Sequence, residues 1–202
     1  MMDDRSRGHV ELITGGMFSG KSEELVRRLR RAAIARQRVQ CFKPRTDTRH
    51  HPERLVTRDN RETSAVTVAD SGALRAALEV GVQVIGVDEA QFFDDGLVPL
   101  VEDLADRGIR VIVAGLDLDY QRQPFGPMPA LLAIAEYVDK MHAVCVRCGG
   151  VAHYSQRIAG GDERVQVGDG ESYEARCRRC YEEYGGTATV DESPTLRMPA
   201  MG

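Results

Sequence analysis

The chain has 202 residues, and its 27 Lys+Arg against 31 Asp+Glu give a formal charge of −4. That length suits one ordinary domain with a real core plus a small appendage, and the mild acidity argues against a dedicated nucleic-acid binder, which carries a basic excess. The longest uncharged stretch, 123–135, holds three prolines and falls short of the about 20 apolar residues a membrane span needs. The polar segment 1–7 has no apolar signal-peptide run, so the expectation is a cytoplasmic protein that engages neither membrane nor nucleic acid.

In chain order, residues 9–14 read as a strand, and 22–37 as a helix with Leu25, Leu29 and Ala32/Ala33 on one face. Residues 39–43 form a short strand, while 44–64 is too charged for core and reads as a mobile loop. Then come a strand at 65–68, a helix at 71–79, a buried strand at 82–87 and a helix at 96–107. A strand at 110–114 and a short helix at 129–136 complete the series. Strands alternating with helices predict an α/β domain with a mostly parallel sheet over 9–143. Composition changes near Val144. Residues 144–184 are rich in glycine and cysteine and poor in apolar residues, so that segment needs a staple. The ends, 1–8 and 185–202, read as disordered.

The run Gly15-Gly16-Met17-Phe18-Ser19-Gly20-Lys21-Ser22 matches G-x-x-x-x-G-K-[ST], after an apolar strand and at the start of a helix. In a loop of this kind backbone N–H groups turn inward around phosphates, and the helix N-terminus adds partial positive charge. Lys21 then reaches the β/γ-phosphates and the Ser22 hydroxyl ligates Mg²⁺. The apolar strand at 82–87 ends in Asp88-Glu89. Asp88 is the natural second magnesium partner, which leaves Glu89 to act as a base towards a hydroxyl or water. A lone carboxylate at a strand end is most simply a solvated loop group; two together behind a phosphate loop point to chemistry.

Five cysteines is an odd number, and four of them form two C-x-x-C pairs, Cys145/Cys148 and Cys177/Cys180. Two such knuckles complete a tetrahedron of thiolates around Zn²⁺, a closed and hence structural site. Redox dithiols or plain buried cysteines are the alternatives, and no thioredoxin-like context surrounds either pair. Cys41 is most simply core. The basic run from Arg27 to Arg38 reads as a solvated helix face or subunit contact. His50, His51 and His153 read as loop or pocket neighbours, since four cysteines already satisfy zinc.

Taken together, GGMFSGKSEEL, VDEAQFF and the paired C-x-x-C motifs resemble the type II thymidine kinases, P-loop deoxynucleoside kinases with a zinc-bound lasso domain. Leu116–Gly126 looks like that family's LDxxFxxxPFG segment and Asp47-Thr48-Arg49 like its DTR triplet. The resemblance implies a RecA-like α/β P-loop domain with a small zinc-ribbon lasso at 144–184, assembled as a homotetramer. It implies phosphoryl transfer from ATP to the 5′-hydroxyl of thymidine, with deoxyuridine as a second acceptor, and a place in pyrimidine deoxynucleotide salvage. Glu89 matches the general base. Asp47, Arg49, Asp88 and Gln91 match the ATP-contacting set. Met17, Phe92, Leu116, Tyr120, Phe125 and Tyr173 match the nucleoside pocket, and Val165, Val167 and Gly168 the lasso backbone against the pyrimidine edge. Tyr120 stands where the family often has phenylalanine.

Two rival readings use the same residues. A RecA-like DNA-dependent ATPase would turn the base on water and would need a DNA-binding surface. A zinc-ribbon binding module with a vestigial nucleotide site is opposed by the intact Lys21, Ser22, Asp88 and Glu89.

Overall fold

The computed structural model describes residues 8–45, 54–56, 62–159 and 172–181, with 54–56 and 62–64 described as backbone only. The first strand, β1 (His9–Thr14), runs into the phosphate loop and then α1 (Lys21–Ile34). β2 (Val39–Pro44) follows, then a hairpin of β3 (Arg54–Val56) and β4 (Glu62–Ser64), β5 (Val66–Val68) and α2 (Ser71–Ala76). β6 (Val84–Val87) leads through a 3₁₀ turn at Ala90–Phe92 to α3 (Leu97–Asp106), β7 (Arg110–Gly115), α4 (Met128–Ile134) and β8 (Tyr137–Lys140). Six of these strands form one sheet in the order β5-β2-β6-β7-β1-β8, every neighbouring pair parallel.

Side-chain alternation along the strands divides the core into two layers. Val10 and Leu12 of β1, Ile85 and Val87 of β6, and Val111 and Val113 of β7 pack on the face covered by Leu74 of α2, Leu97, Leu100, Val101 and Leu104 of α3, and Met128 and Leu131 of α4. Ile13, Cys41, Val84, Ile112 and Ala114 point the other way, under Leu25, Val26, Leu29 and Ala32 of α1. Ala32 turns inward and Ala33 is exposed. Burial pushes the Cys41 thiol up, as befits a core cysteine. Gly86 lets α1 approach the sheet, because a Cβ there would lie 2.7 Å from Leu29 Cδ1. Glu11 shares the α1 face. Burial raises its carboxyl, but Arg110 and Arg28 donate to it at 2.5 and 2.6 Å and hold it below the usual carboxylate range.

The helix ends differ from the sequence expectation for local reasons. α1 stops three residues early because Arg36 adopts a left-handed φ of 60°. Gln37 N–H then reaches Ala32 O and Arg36 N–H reaches Ala33 O, at 3.1 and 2.9 Å, the pairing of a Schellman end without its usual glycine. α2 starts on Asp70, whose carboxylate accepts from Ala73 N–H at 2.7 Å. It stops at Ala76 because the Gln40 amide captures Ala77 O and Glu79 N–H. α4 gives way to β8 where Glu136 exchanges hydrogen bonds with Val10 in the neighbouring β1.

Two expectations are corrected outright. The stretch 44–64 contains the antiparallel hairpin β3/β4 and not a loop throughout. β8 has no counterpart among the elements predicted from sequence: it is a sheet strand whose four residues are all exposed at the edge, so no apolar run marks it. The expected boundary between 143 and 144 falls inside β9 (Ala143–Val144). β9 pairs with β10 (Val151–Ala152), and β11 (Tyr154–Arg157) with β12 (Tyr173–Arg176), both antiparallel.

Leu29→Ala is expected to open a cavity over Gly86 and to lower unfolding free energy by about 2–5 kcal/mol. Chemical denaturation reads this as a lower midpoint; an unchanged midpoint would mean that α1 is not held by that contact.

Candidate active site

The phosphate loop is a backbone structure before it is a set of side chains. Gly15 has φ 131° and Gly20 φ 86°, and a Cβ on Gly15 would sit 2.1 Å from Met141 O. Phe18 takes a left-handed φ of 65° between them. Lys21, the first residue of α1, donates to Gly16 O at 2.7 Å, and Ser19 Oγ donates to the same carbonyl at 2.8 Å. The lysine thus lies folded over the loop whose phosphates it would reach. Met17 N–H, in turn, donates at 2.9 Å to Ser155 Oγ, from the cysteine-bearing half of the chain.

The acids stand two strands away from β1. Asp88 is buried just beyond β6, anchored by its N–H to Phe42 O at 2.9 Å. Its Oδ1 accepts from Ser22 Oγ at 3.3 Å, so the two oxygens expected to share Mg²⁺ are already adjacent. Hard oxygen donors at a helix N-terminus fit a small divalent cation that also binds phosphate oxygens. Glu89 follows with φ 51° and ψ 43°, a left-handed conformation in a non-glycine residue. Such backbones are costly and concentrate at functional sites; here Glu89 is half-buried, and Ala90 and Gln91 after it are buried.

Beyond Glu89 lies the loop 116–126. Leu118 and Pro124 form a bridge, and Asp119 Oδ1 accepts from Gln121 N–H and Gln123 N–H, both at 2.9 Å. The hydrogen bond from Phe125 N–H to Asp117 O, 3.1 Å, closes the loop. This brings together most of the residues singled out for a nucleoside. Phe92 and Phe125 meet edge to face at 5.5 Å, Tyr120 is buried, and Leu116 is half-buried. Tyr173 approaches from β12 and is linked to Tyr120 by a residue that the sequence does not advertise. Arg157 is 1% exposed, its guanidinium lies 3.6 Å from the Tyr120 ring centroid, and it donates to Tyr173 Oη at 2.7 Å. Tyr181 Oη donates to Tyr120 O, and Arg122 stacks over the Tyr181 ring at 4.7 Å. Ser155 and Arg157 lie outside every motif, and only their burial in the fold reveals them.

The four paired cysteines converge. Their sulfurs lie within 4.8 Å of one another, with Cys148 Sγ and Cys177 Sγ 3.7 Å apart. Four thiolates at Zn–S distances of about 2.3 Å on a tetrahedron are separated by about 3.8 Å, so the set can hold a zinc ion. Each knuckle is a tight turn: Gly149 N–H bonds Cys145 O at 2.8 Å, and Cys180 N–H bonds Cys177 O at 3.1 Å. Burial raises the Cys145 thiol, yet the N–H groups of Cys177, Cys148 and Arg147 outweigh it and bring it down to about 6. Metal-ligand groupings among the described residues comprise these cysteines alone. His153 instead packs against His142, ring centroids 4.6 Å apart. Asp47, Arg49, His50, His51, Val165, Val167 and Gly168 lie outside the described residues.

The thymidine kinase family model matches residues 8–181. The chain belongs to the thymidine kinase family. It is 50% identical over 190 residues to a thymidine kinase of Porphyromonas gingivalis, covering 94% of this chain and 93% of that protein. Identity is 51% to the thymidine kinase of Deinococcus radiodurans, over 91% of this chain and 94% of the relative. It is 49% to that of Bacteroides thetaiotaomicron, over 90% of each. The matched span takes in the phosphate loop, the acids after β6, the loop 116–126 and all four paired cysteines.

Within this kinase the cysteine cluster supports the strands that carry Ser155, Arg157 and Tyr173. Cys177→Ser is expected to lower bound zinc from about one equivalent to well below half and to destabilise 144–181, because structural zinc contributes folding free energy. Metal analysis together with thermal unfolding checks this; full zinc content in a folded Cys177→Ser protein would refute the four-cysteine site.

Proposed function

We propose that this kinase transfers the γ-phosphoryl of ATP to the 5′-hydroxyl of thymidine, with Glu89 as the general base. The observation that carries the proposal is the position of Glu89. It follows the acid that bonds the phosphate-loop serine, and a hydrogen-bonded amide joins it to the loop bearing Leu116, Tyr120 and Phe125. By this proposal the pyrimidine lies against the aromatic surface of Phe92, Phe125 and Tyr120, with its sugar towards the Glu89 carboxylate. In this reading the N–H groups of 16–22 and the start of α1 receive the phosphates, and Lys21 exchanges Gly16 O for them. The 5′-hydroxyl proton passes to Glu89 as the oxygen attacks phosphorus in line and ADP leaves. Phosphoryl transfer is loose, so positioning and charge neutralisation matter more than base strength.

Ser22 and Asp88 would hold Mg²⁺, which neutralises charge on the β- and γ-phosphates when bound. Cys145, Cys148, Cys177 and Cys180 would hold structural zinc. The family resemblance further supports phosphate-side roles for Asp47 and Arg49, and lasso contacts to the pyrimidine edge from Val165, Val167 and Gly168. It also supports division into a P-loop domain and a zinc-bound lasso, deoxyuridine as a second acceptor, and a homotetramer working in the cytoplasm in nucleotide salvage. No helix among the described residues is long and apolar enough to cross a membrane. Family membership does not favour the DNA-dependent ATPase reading.

Glu89→Gln keeps the size and polarity of the side chain and removes the proton acceptor. Its kcat is expected to fall by roughly 10²-fold or more, with KM for ATP and thymidine within about threefold of wild type. Steady-state assay of dTMP formation decides it. Wild-type turnover would remove Glu89 from the base role.

A further inference from the structure

The family resemblance groups Gln91 with the ATP-contacting residues, and the structure gives its side chain partners within the protein. It is 2% exposed, so its amide must find hydrogen bonds within the protein. The carbonyl oxygen accepts from Leu116 N–H at 2.9 Å, and the amide nitrogen donates to Glu89 Oε2 at 2.5 Å. The chemistry of the two partners fixes the orientation of the amide: an N–H can face only the carbonyl end, and a carboxylate only the NH₂ end. Glycines on two sides keep the position open. A Cβ at Gly115 would lie 2.9 Å from Gln91 Oε1, and one at Gly126 would lie 2.3 Å from Gln91 O.

We propose that Gln91 is the positioning residue for the base: its amide fixes the Glu89 carboxylate and sets that carboxylate's place relative to the nucleoside loop at Leu116. The inference rests on Glu89 being the base. Glu89 sits on a left-handed turn, and its carboxylate needs a fixed donor to keep one orientation among its rotamers. The donor itself is pinned to the loop that carries Leu116, Tyr120 and Phe125. Base and acceptor pocket are therefore held by one planar group, and a productive approach of the 5′-hydroxyl depends on it.

The role is separable from simple anchoring of the loop. A residue that only capped Leu116 N–H would need an acceptor and no donor. The test is a double-mutant cycle with Gln91→Met, which removes both bonds, in wild-type and Glu89→Gln backgrounds. In the wild-type background kcat is expected to fall about tenfold or more, with both KM values within about threefold; in the Glu89→Gln background it is expected to change less than about twofold, because a residue acting through the base has nothing left to position. An equal loss in both backgrounds, or a loss confined to KM for thymidine, would overturn the proposal and leave Gln91 a loop anchor. Gln91→Glu keeps the acceptor for Leu116 N–H and, at a pH where the introduced carboxyl is ionised, replaces the donor to Glu89 with a like charge. It is expected to lose kcat as Gln91→Met does, and it carries the test if Gln91→Met shows no cooperative unfolding; wild-type kcat in Gln91→Glu would also overturn the proposal. Glu89→Gln alone at wild-type kcat would instead strike down the base assignment, and with it a base for Gln91 to position.

Discussion

The 3.3 Å approach of the Ser22 hydroxyl to the Asp88 carboxylate ties the two halves of the site together. Ser22 belongs to the helix that follows β1, whereas Asp88 follows β6, and β7 lies between those strands in the sheet. The two meet because every strand of the sheet is parallel, so the chain leaves β1, β6 and β7 on one edge. Gly86 brings α1 down on the sheet, and the N-terminus of that helix then lies beside the acids. From this junction Glu89 extends one residue further and Gln91 two more, to meet the loop leaving β7.

The cysteine-bearing segment depends on the same junction from the other side. Ser155 accepts from the phosphate-loop backbone, and Arg157 stacks on Tyr120 while bonding Tyr173. Short strands whose own core is the small cluster of Ala143, Cys145, Ala152 and Ala175 are thus fastened to both the phosphate loop and the loop 116–126. A buried guanidinium needs polar or charged partners, and among those of Arg157 the two tyrosines supply a hydroxyl acceptor and a π face. Loss of metal from the cysteine cluster would therefore reach the pocket through these side chains.

What was legible in the sequence was what is contiguous along the chain. The phosphate loop, the acids after β6 and the C-x-x-C pairs each bring their partners within a few residues, so spacing alone carries their chemistry. The apolar runs of β1, β6 and β7 were legible for the same reason, because both faces of those strands are buried. Features set by distant partners were not. Gln40 ends α2 from a neighbouring strand, and Arg36 ends α1 by taking a backbone angle usually left to glycine. All four residues of β8 are exposed, and the strand has no apolar period. Arg157 and Ser155 look like surface polar residues until the fold buries them. Gln91 carried a motif label, but its bond to Leu116 spans 25 positions and is visible only in three dimensions.

The most direct test of the account is ADP release from MgATP by the purified protein with and without thymidine, with single-stranded DNA as a control. The account predicts turnover that requires thymidine, with one thymidine monophosphate formed for each ADP and no stimulation by DNA. Turnover indifferent to nucleoside and raised by DNA would contradict it, because the aromatic residues beyond Glu89 would then serve some purpose other than presenting a 5′-hydroxyl.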